Sequence, residues 1–387
     1  MKNYYFSSFN KEDALNIIRN ILLESINLKT KKVSVYDALG YFSAKDYASA
    51  QTSPPANVSA MDGYAIYSSD TLQAFDSNPV EISSFLKVQT GENIKQYNAV
   101  VPFEDVQVKD KKIIIRQAYN PYQNVRKKGE DILIDTEIVS KGEYLKKADL
   151  VKLKIGGYKQ LEVYEMPKVL FIPTGNELTD LITTENQLVE FNSILFMNTL
   201  KDYRFDITIN EILPNDIKVI ENVINDNIDN YDIIFVNAGS SKGDHDYTAK
   251  AISNIGEVLV HGIAIKPGKP TIIGKVRNKL VMGLPGFPVS MFFSLIEVFL
   301  PAFFDTFKLK KHYNTLQLRI DRGISSSLEA EEYIRVKLTH LENEVKCNIL
   351  KRGASLIESI NEATGYIKIP QYVEYIEAGS QVEIILL

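Results

Sequence analysis

Four short stretches between residues 173 and 290 combine glycine and proline turns with hydroxyl, amide, lysine and carboxylate side chains. Pro173 to Leu178 reads PTGNEL, and Asn237 to Thr248 reads NAGSSKGDHDYT. Ile265 to Pro270 reads IKPGKP, and Gly283 to Ser290 reads GLPGFPVS. These are residue types suited to an oxyanion. Gly239 and Gly243 allow close backbone approach, and Ser240 and Ser241 add hydroxyl donors. Asp244 and Asp246 are the kind of group that holds a hard cation. Lys266 and Lys269 surround a Pro-Gly turn that Pro270 ends. In the last stretch a proline-fixed turn opens a helix, so Ser290 and nearby amides face any anion at that positive end. Each loop taken singly is an ordinary turn after a strand. Together, at one edge of one sheet, they point to a phosphorylated ligand and metal-assisted chemistry.

The elements that must position these loops follow from periodicity. After Pro167, apolar strands (Val169–Ile172, Phe205–Leu213, Ile233–Val236, Lys279–Met282) alternate with helical stretches (Asn192–Tyr203, Ile217–Ile228, Asp246–Ile255 and Pro288 onward). That alternation predicts an α/β unit, a parallel sheet covered on both faces, with ligands at the carboxyl ends of its strands. Asn10 to Ile26 reads as a first helix capped by Asn10, with an apolar face of Ala14, Ile17, Ile18, Ile21 and Leu22. Val33 to about Tyr164 is a run of short β segments with no competing helical period. From about Lys311 the β texture returns, at Thr315–Ile320, Tyr333–Leu338, Val345–Leu350, Gly365–Ile369 and Val382–Leu387, enough for a small barrel or sandwich.

The bulk properties narrow the function classes. The 387 residues carry a formal charge of −5, leaving no basic excess for a nucleic-acid polymer. The 45% hydrophobic content supports real cores. One cysteine, Cys347, excludes a disulfide framework within the chain, and Met1 to Phe9 lacks a signal-peptide pattern; a cytoplasmic location is expected. The most apolar stretch, Met291 to Phe304, contains Glu297 and Pro301 and reads as a buried helix rather than a membrane span. The histidines His245, His261, His312 and His340 show no zinc spacing and read as structural, His245 alone lying inside a candidate loop.

A fifth motif, SAMDGYAI at Ser59 to Ile66, lies far from the others in sequence; its Asp62-Gly63 is by itself only a hairpin signal. With Thr90-Gly91, NAVVPFED (Asn98–Asp105), RKKGEDI (Arg126–Ile132) and ATGYIKIP (Ala363–Pro370), the ordered set resembles the molybdopterin molybdenumtransferase family, whose relatives include domains of gephyrin. The resemblance runs nearly end to end. It implies an N-terminal helix (1–26) packed on an α/β molybdopterin-binding domain (166–310). It also implies a β-rich linker domain (27–50 and 135–165), an extended β-rich domain carrying the MDGYA loop (51–134) and a C-terminal β-barrel (311–387).

The resemblance further implies a homodimer whose sites are shared between subunits. The expected reaction takes adenylylated molybdopterin and molybdate, with Mg²⁺ assisting, and releases AMP. Other cofactor-synthesis proteins are expected partners, and neither nucleic acid nor membrane is. Carried over by position, Asp62, Thr90, Glu177, Asp216 and Asp246 are the catalytic candidates, and Asp244, Asp246 and Glu177 the metal candidates. Lys266, Lys269, Pro270, Ser290, Arg335 and Ser355 join the glycines and serines of the 239–243 loop as oxyanion candidates. At the last of these the pattern slips, because Ala354 stands where a serine is expected. Asn176, Lys242 and Phe287 also depart from the family pattern. Two other functions are weighed: adenylylation of molybdopterin, performed by a single-domain family that lacks the flanking β regions, and a non-catalytic gephyrin-like scaffold.

Overall fold

The structure, a computed structural model, describes residues 9–238, 246–342 and 345–387. Its α/β part is built on six strands in the order Asp206–Ile209, Lys168–Pro173, Ile233–Ala238, Lys279–Pro285, Ile272–Val276, Glu257–His261. The first four are mutually parallel, and each of the last two runs antiparallel to its predecessor. The sheet is therefore mixed, not all parallel. Its hairpin turns at Arg277 and Asn278, both at positive φ, and Arg-Asn is not a dipeptide that announces such a turn. The mixed topology still sends all the candidate loops out of one edge. Glu257–His261 is reversed twice relative to Lys279–Pro285, so His261 ends at the same edge as Pro173, Ala238 and Pro285.

Helix Lys11–Ser25 starts at Asn10, whose Oδ1 accepts the Glu12 N–H at 2.8 Å. Its buried residues Ala14, Leu15, Ile18, Ile21 and Leu22 join the large core around Phe171, Phe235 and Phe299. The apolar stretch at 288–307 is continuous helix, longer than the sequence suggested; it is long and apolar enough to cross a membrane, but most of it is buried within the protein. A π turn at Leu295–Phe299 interrupts it and contains Glu297. This buried carboxylate lies 3.0 Å from the Lys11 ammonium and 2.8 Å from that of Lys368, and it accepts the Tyr366 hydroxyl. Burial alone would lower the pKa of Lys11, and Glu297 and Glu331 more than reverse that. The cluster ties first helix, core helix and C-terminal sheet together. Glu297→Ala leaves Lys11 with Glu331 alone, at 2.6 Å, and takes the carboxylate from Lys368 and the Tyr366 hydroxyl. It is expected to cost about 2 kcal/mol in urea unfolding, with Glu297→Gln milder. Equal midpoints for Glu297→Ala and wild type would show the cluster to be energetically idle.

Among the described residues, strands between Val58 and Arg126 pair only with one another, in sheets Leu86–Val88/Gly63–Ile66/Ala99–Pro102 and Val80–Ile82/Lys112–Ile115/Val106–Lys109 plus the short pair Val58–Ser59/Val125–Arg126. Gly63 has no turn role there. It opens the central strand, and a Cβ on it would stand 2.1 Å from the Val101 carbonyl oxygen. Between Val33 and Tyr164 lies a helix absent from the sequence reading, Lys147–Ile155. Only Leu153 of it is buried, so no apolar stripe marks it. The C-terminal strands order as Ile265–Lys266, Glu331–His340, Gly365–Ile369, Gln381–Leu386, Thr315–Arg319, with Val345–Ile349 also on Glu331–His340. Among the described residues a single bridge, Ile320 to Cys347, joins the outer strands of this curved sheet. Its first strand comes from the α/β part: Ile265 and Lys266 pair parallel with Glu331 and Glu332.

Candidate active site

That borrowed strand builds a cleft. Lys266, Lys269 and Pro270 of the IKPGKP loop, Ser290 at the start of the core helix, and Arg335, Arg352 and Ala354 of the C-terminal region line one cavity of about 580 Å³. The lysine loop is held firmly. Gly268, at φ +118°, allows a fold in which a Cβ would meet Ile265 Cδ1 at 2.7 Å. The Gly268 carbonyl accepts the Thr271 hydroxyl at 2.7 Å, and the Lys269 carbonyl accepts the Ile263 N–H at 2.8 Å. Both lysine side chains are thus presented to solvent from a fixed backbone. Stacking of Phe293 on Tyr333, with ring centroids 4.9 Å apart, fixes the core helix against the strand that carries Arg335.

Arg335 is the most telling residue in the cleft. It is 4% exposed, and its guanidinium donates to the Lys351 and Gly353 carbonyls at 3.2 and 3.3 Å. Among the described residues its buried Nε has no hydrogen-bond partner and no carboxylate pairs with it. Burial, helped by the neighbouring Arg352 charge, pushes its pKa down to about 10. A buried cation without a counter-ion is the local chemistry of an anion site. Ala354, not Ser355, lines this wall; Ser355 is exposed, and the Ala354 carbonyl accepts the Val289 N–H at 3.1 Å. Phe287 stands exposed on the cleft lining.

At the same sheet edge Asp246 caps helix Tyr247–Ile255. Its Oδ1 accepts the Ala249 N–H at 3.0 Å and its Oδ2 lies 2.7 Å from His261 Nε2. The sequence reading gave His261 no such role, because the two residues meet only through the reversed strand. Asp216 is likewise a helix cap, with Oδ1 accepting the Lys218 and Val219 N–H groups at 2.8 and 3.2 Å. Glu177 is exposed, and Asn176 Oδ1 accepts the Asn215 N–H at 2.8 Å. Gly239, Ser240, Ser241, Lys242, Gly243, Asp244 and His245 lie outside the described residues. Among the described residues no three His, Cys, Asp or Glu side chains form a metal-binding group. Asp246, with each oxygen already engaged, does not by itself make a magnesium site.

Asp62 and Thr90 form a pair of their own. The Asp62 carboxylate accepts the Thr90 backbone N–H at 2.7 Å and its hydroxyl at 3.0 Å, and these bonds, the backbone one foremost, hold its pKa below the ordinary aspartate value. The carboxylate is fully exposed. Among the described residues no hydrogen bond or ion pair joins this pair to the loops of the α/β part.

Residues 10–156 match the MoeA N-terminal region (domain I and II), residues 170–304 the "Probable molybdopterin binding domain", and residues 317–387 the MoeA C-terminal region (domain IV). The chain belongs to the MoeA family. Among MoeA-like relatives, a protein of Methanocaldococcus jannaschii named for molybdopterin biosynthesis is 29% identical over 93% of this chain and 93% of its own. A molybdopterin molybdenumtransferase of Haemophilus influenzae is 28% identical over 73% of this chain and 76% of its own. A crystal structure of a MoeA protein from Pyrococcus horikoshii aligns with a TM-score of 0.75 at 27% identity, covering 98% of this chain and 100% of that one. On the MoeA frame the cleft falls between two matched regions: its lysines and Ser290 lie in the second, and Arg335 and Arg352 in the third. Asp62 and Thr90 lie in the first.

Proposed function

We propose that the chain is a molybdopterin molybdenumtransferase, inserting molybdenum from molybdate into adenylylated molybdopterin with release of AMP. The observation that carries this reading is the cleft in which Lys266, Lys269 and the uncompensated Arg335 converge with Ser290. Such a site suits a tetrahedral oxyanion, because fixed cations and hydroxyls replace its water shell without reorganising. The loops at the adjoining sheet edge suit the phosphates and pterin of the second substrate. There Asp246 and His261 hold one another, so a carboxylate and an imidazole keep a set orientation where charge and protons must be handled. The described residues do not complete a magnesium ligand set.

The same reading divides the chain at about residues 26, 50, 134, 165 and 310, closes the C-terminal sheet as a barrel, and places the enzyme in the cytoplasm. It makes the active unit a homodimer in which Asp62 and Thr90 serve the partner's loops. The test is incubation of purified protein with adenylylated molybdopterin, molybdate and magnesium, following AMP release and molybdenum incorporation together. Both should rise in parallel. AMP release without incorporation would mark a hydrolase, and neither would leave a scaffold. In the same assay Lys266→Ala and Lys269→Ala should raise the molybdate KM about tenfold each with unchanged melting, since exposed lysines rarely support a core.

A further inference from the structure

One buried carboxylate sits inside the cationic cleft. Glu332 is 2% exposed, and its Oε2 accepts the Ser326 hydroxyl at 3.0 Å and the Ser327 N–H at 3.3 Å. Its Oε1 faces two cations at once, Lys266 Nζ and Arg352 Nη1, each at 3.4 Å. Those distances are long for charge-assisted bonds, and the partners differ in freedom. The carboxylate is buried and anchored, whereas the side chains of Lys266 and Arg352 are 55% and 39% exposed. Arg335, deeper in the same cleft, has no carboxylate at all among the described residues. The charged lining residues are Lys266, Lys269, Arg335 and Arg352 against Glu329 and Glu332, four cations against two carboxylates, a formal excess matched to a dianion.

We propose that Arg352 is a further anion ligand of this cleft and that Glu332 is its built-in counter-ion, from which an incoming tetrahedral dianion takes over Arg352 and Lys266. The proposal rests on the reading of the cleft as an oxyanion site. The exchange is physically cheap. Both cations already lie within 3.4 Å of Glu332 on the cleft lining, so the anion has less freedom to take from them than from cations fully loose in solvent. Glu332 also sets a threshold: an anion must attract the two cations more strongly than a fixed carboxylate does, which favours a full dianion over monoanions.

The probe is molybdate alone, titrated calorimetrically into the full chain at fixed ionic strength, with melting recorded for every variant. Arg352→Gln is expected to weaken binding about tenfold, the worth of one charge-assisted contact, and Arg352→Lys to recover part of it. Glu332→Gln keeps the acceptor for Ser326 and Ser327 but removes the competing charge. It should tighten molybdate by about threefold or more and reduce the preference over monoanions such as nitrate. A carboxylate that merely supports the fold predicts the opposite sign, so weaker binding in a normally melting Glu332→Gln overturns the counter-ion role. If that variant fails to fold, Arg352→Gln decides. Unchanged affinity there, with binding lost in Arg335→Gln, sinks the proposal and leaves the cleft reading standing. No molybdate binding by the wild type removes both.

Discussion

Asp246→Asn is expected to leave melting within about 1 kcal/mol of the wild type while cutting AMP release by about two orders of magnitude. The geometry makes the two effects separable. Asp246 Oδ1 caps helix Tyr247–Ile255 by accepting the Ala249 N–H, and asparagine offers the same carbonyl oxygen at an N-cap. The other oxygen faces His261 Nε2 at 2.7 Å, and no asparagine rotamer that keeps the cap can put an anion there. What disappears is one buried negative charge at the strand edge where the phosphoanhydride would lie. A charge that matters in the transition state lowers turnover more than affinity, so kcat should carry the loss and KM should move little. Asp246→Ala is the contrasting variant, because it removes cap and charge together and should add a loss of stability of about 1 kcal/mol. His261→Gln keeps both cap and charge, and should fall between the wild type and Asp246→Asn if the imidazole only orients the carboxylate. Normal turnover in Asp246→Asn would reduce the residue to a helix cap.

What the sequence disclosed and what it concealed divide along the range of the interactions. Helices Lys11–Ser25 and Ile217–Asn227 were legible because an apolar stripe is a local signal, as is the Asn10 cap of the first; that Asp216 caps the second came only from the structure. Helix Lys147–Ile155 was not, since a helix that buries little but Leu153 carries no stripe. The antiparallel edge of the α/β sheet was missed because Arg277-Asn278 reaches positive φ without the usual glycine. The same limit applies to the site. Lys266, Lys269 and Ser290 stand in short motifs whose composition is itself the clue. Arg352 and Glu332 have no such context; they enter the cleft because Ile265 and Lys266 pair with Glu331 and Glu332, strands from separate regions of the chain. His261 was read as structural because only the doubly reversed strand brings it to Asp246. Ser355 was expected in the cleft on alignment of a pattern that slips at Ala354, and the backbone puts Ala354 on the wall instead.

Mixing inactive Asp62→Asn subunits with inactive Asp246→Asn subunits is expected to restore activity to about one quarter of the wild type. The figure follows from two-fold symmetry. Random re-pairing makes half of the dimers mixed, and in each mixed dimer one site receives both wild-type loops while the other receives both substitutions. The structural motive is the isolation of the Asp62–Thr90 pair. Its carboxylate is fully exposed yet held in one orientation by a backbone and a hydroxyl donor, which costs conformational freedom with no group among the described residues to act on. Among the described residues the strands around it pair only with one another, so the region can project toward another subunit without breaking a shared sheet. A site made within one chain predicts a different result, because every subunit then carries one defective loop and no pairing can repair it. Subunit exchange must be shown in parallel, by recovering both tags from one purified dimer. With exchange demonstrated and AMP release still at the level of the separate variants, sharing of the site between subunits is excluded. Asp62 would then have to be explained from within its own chain.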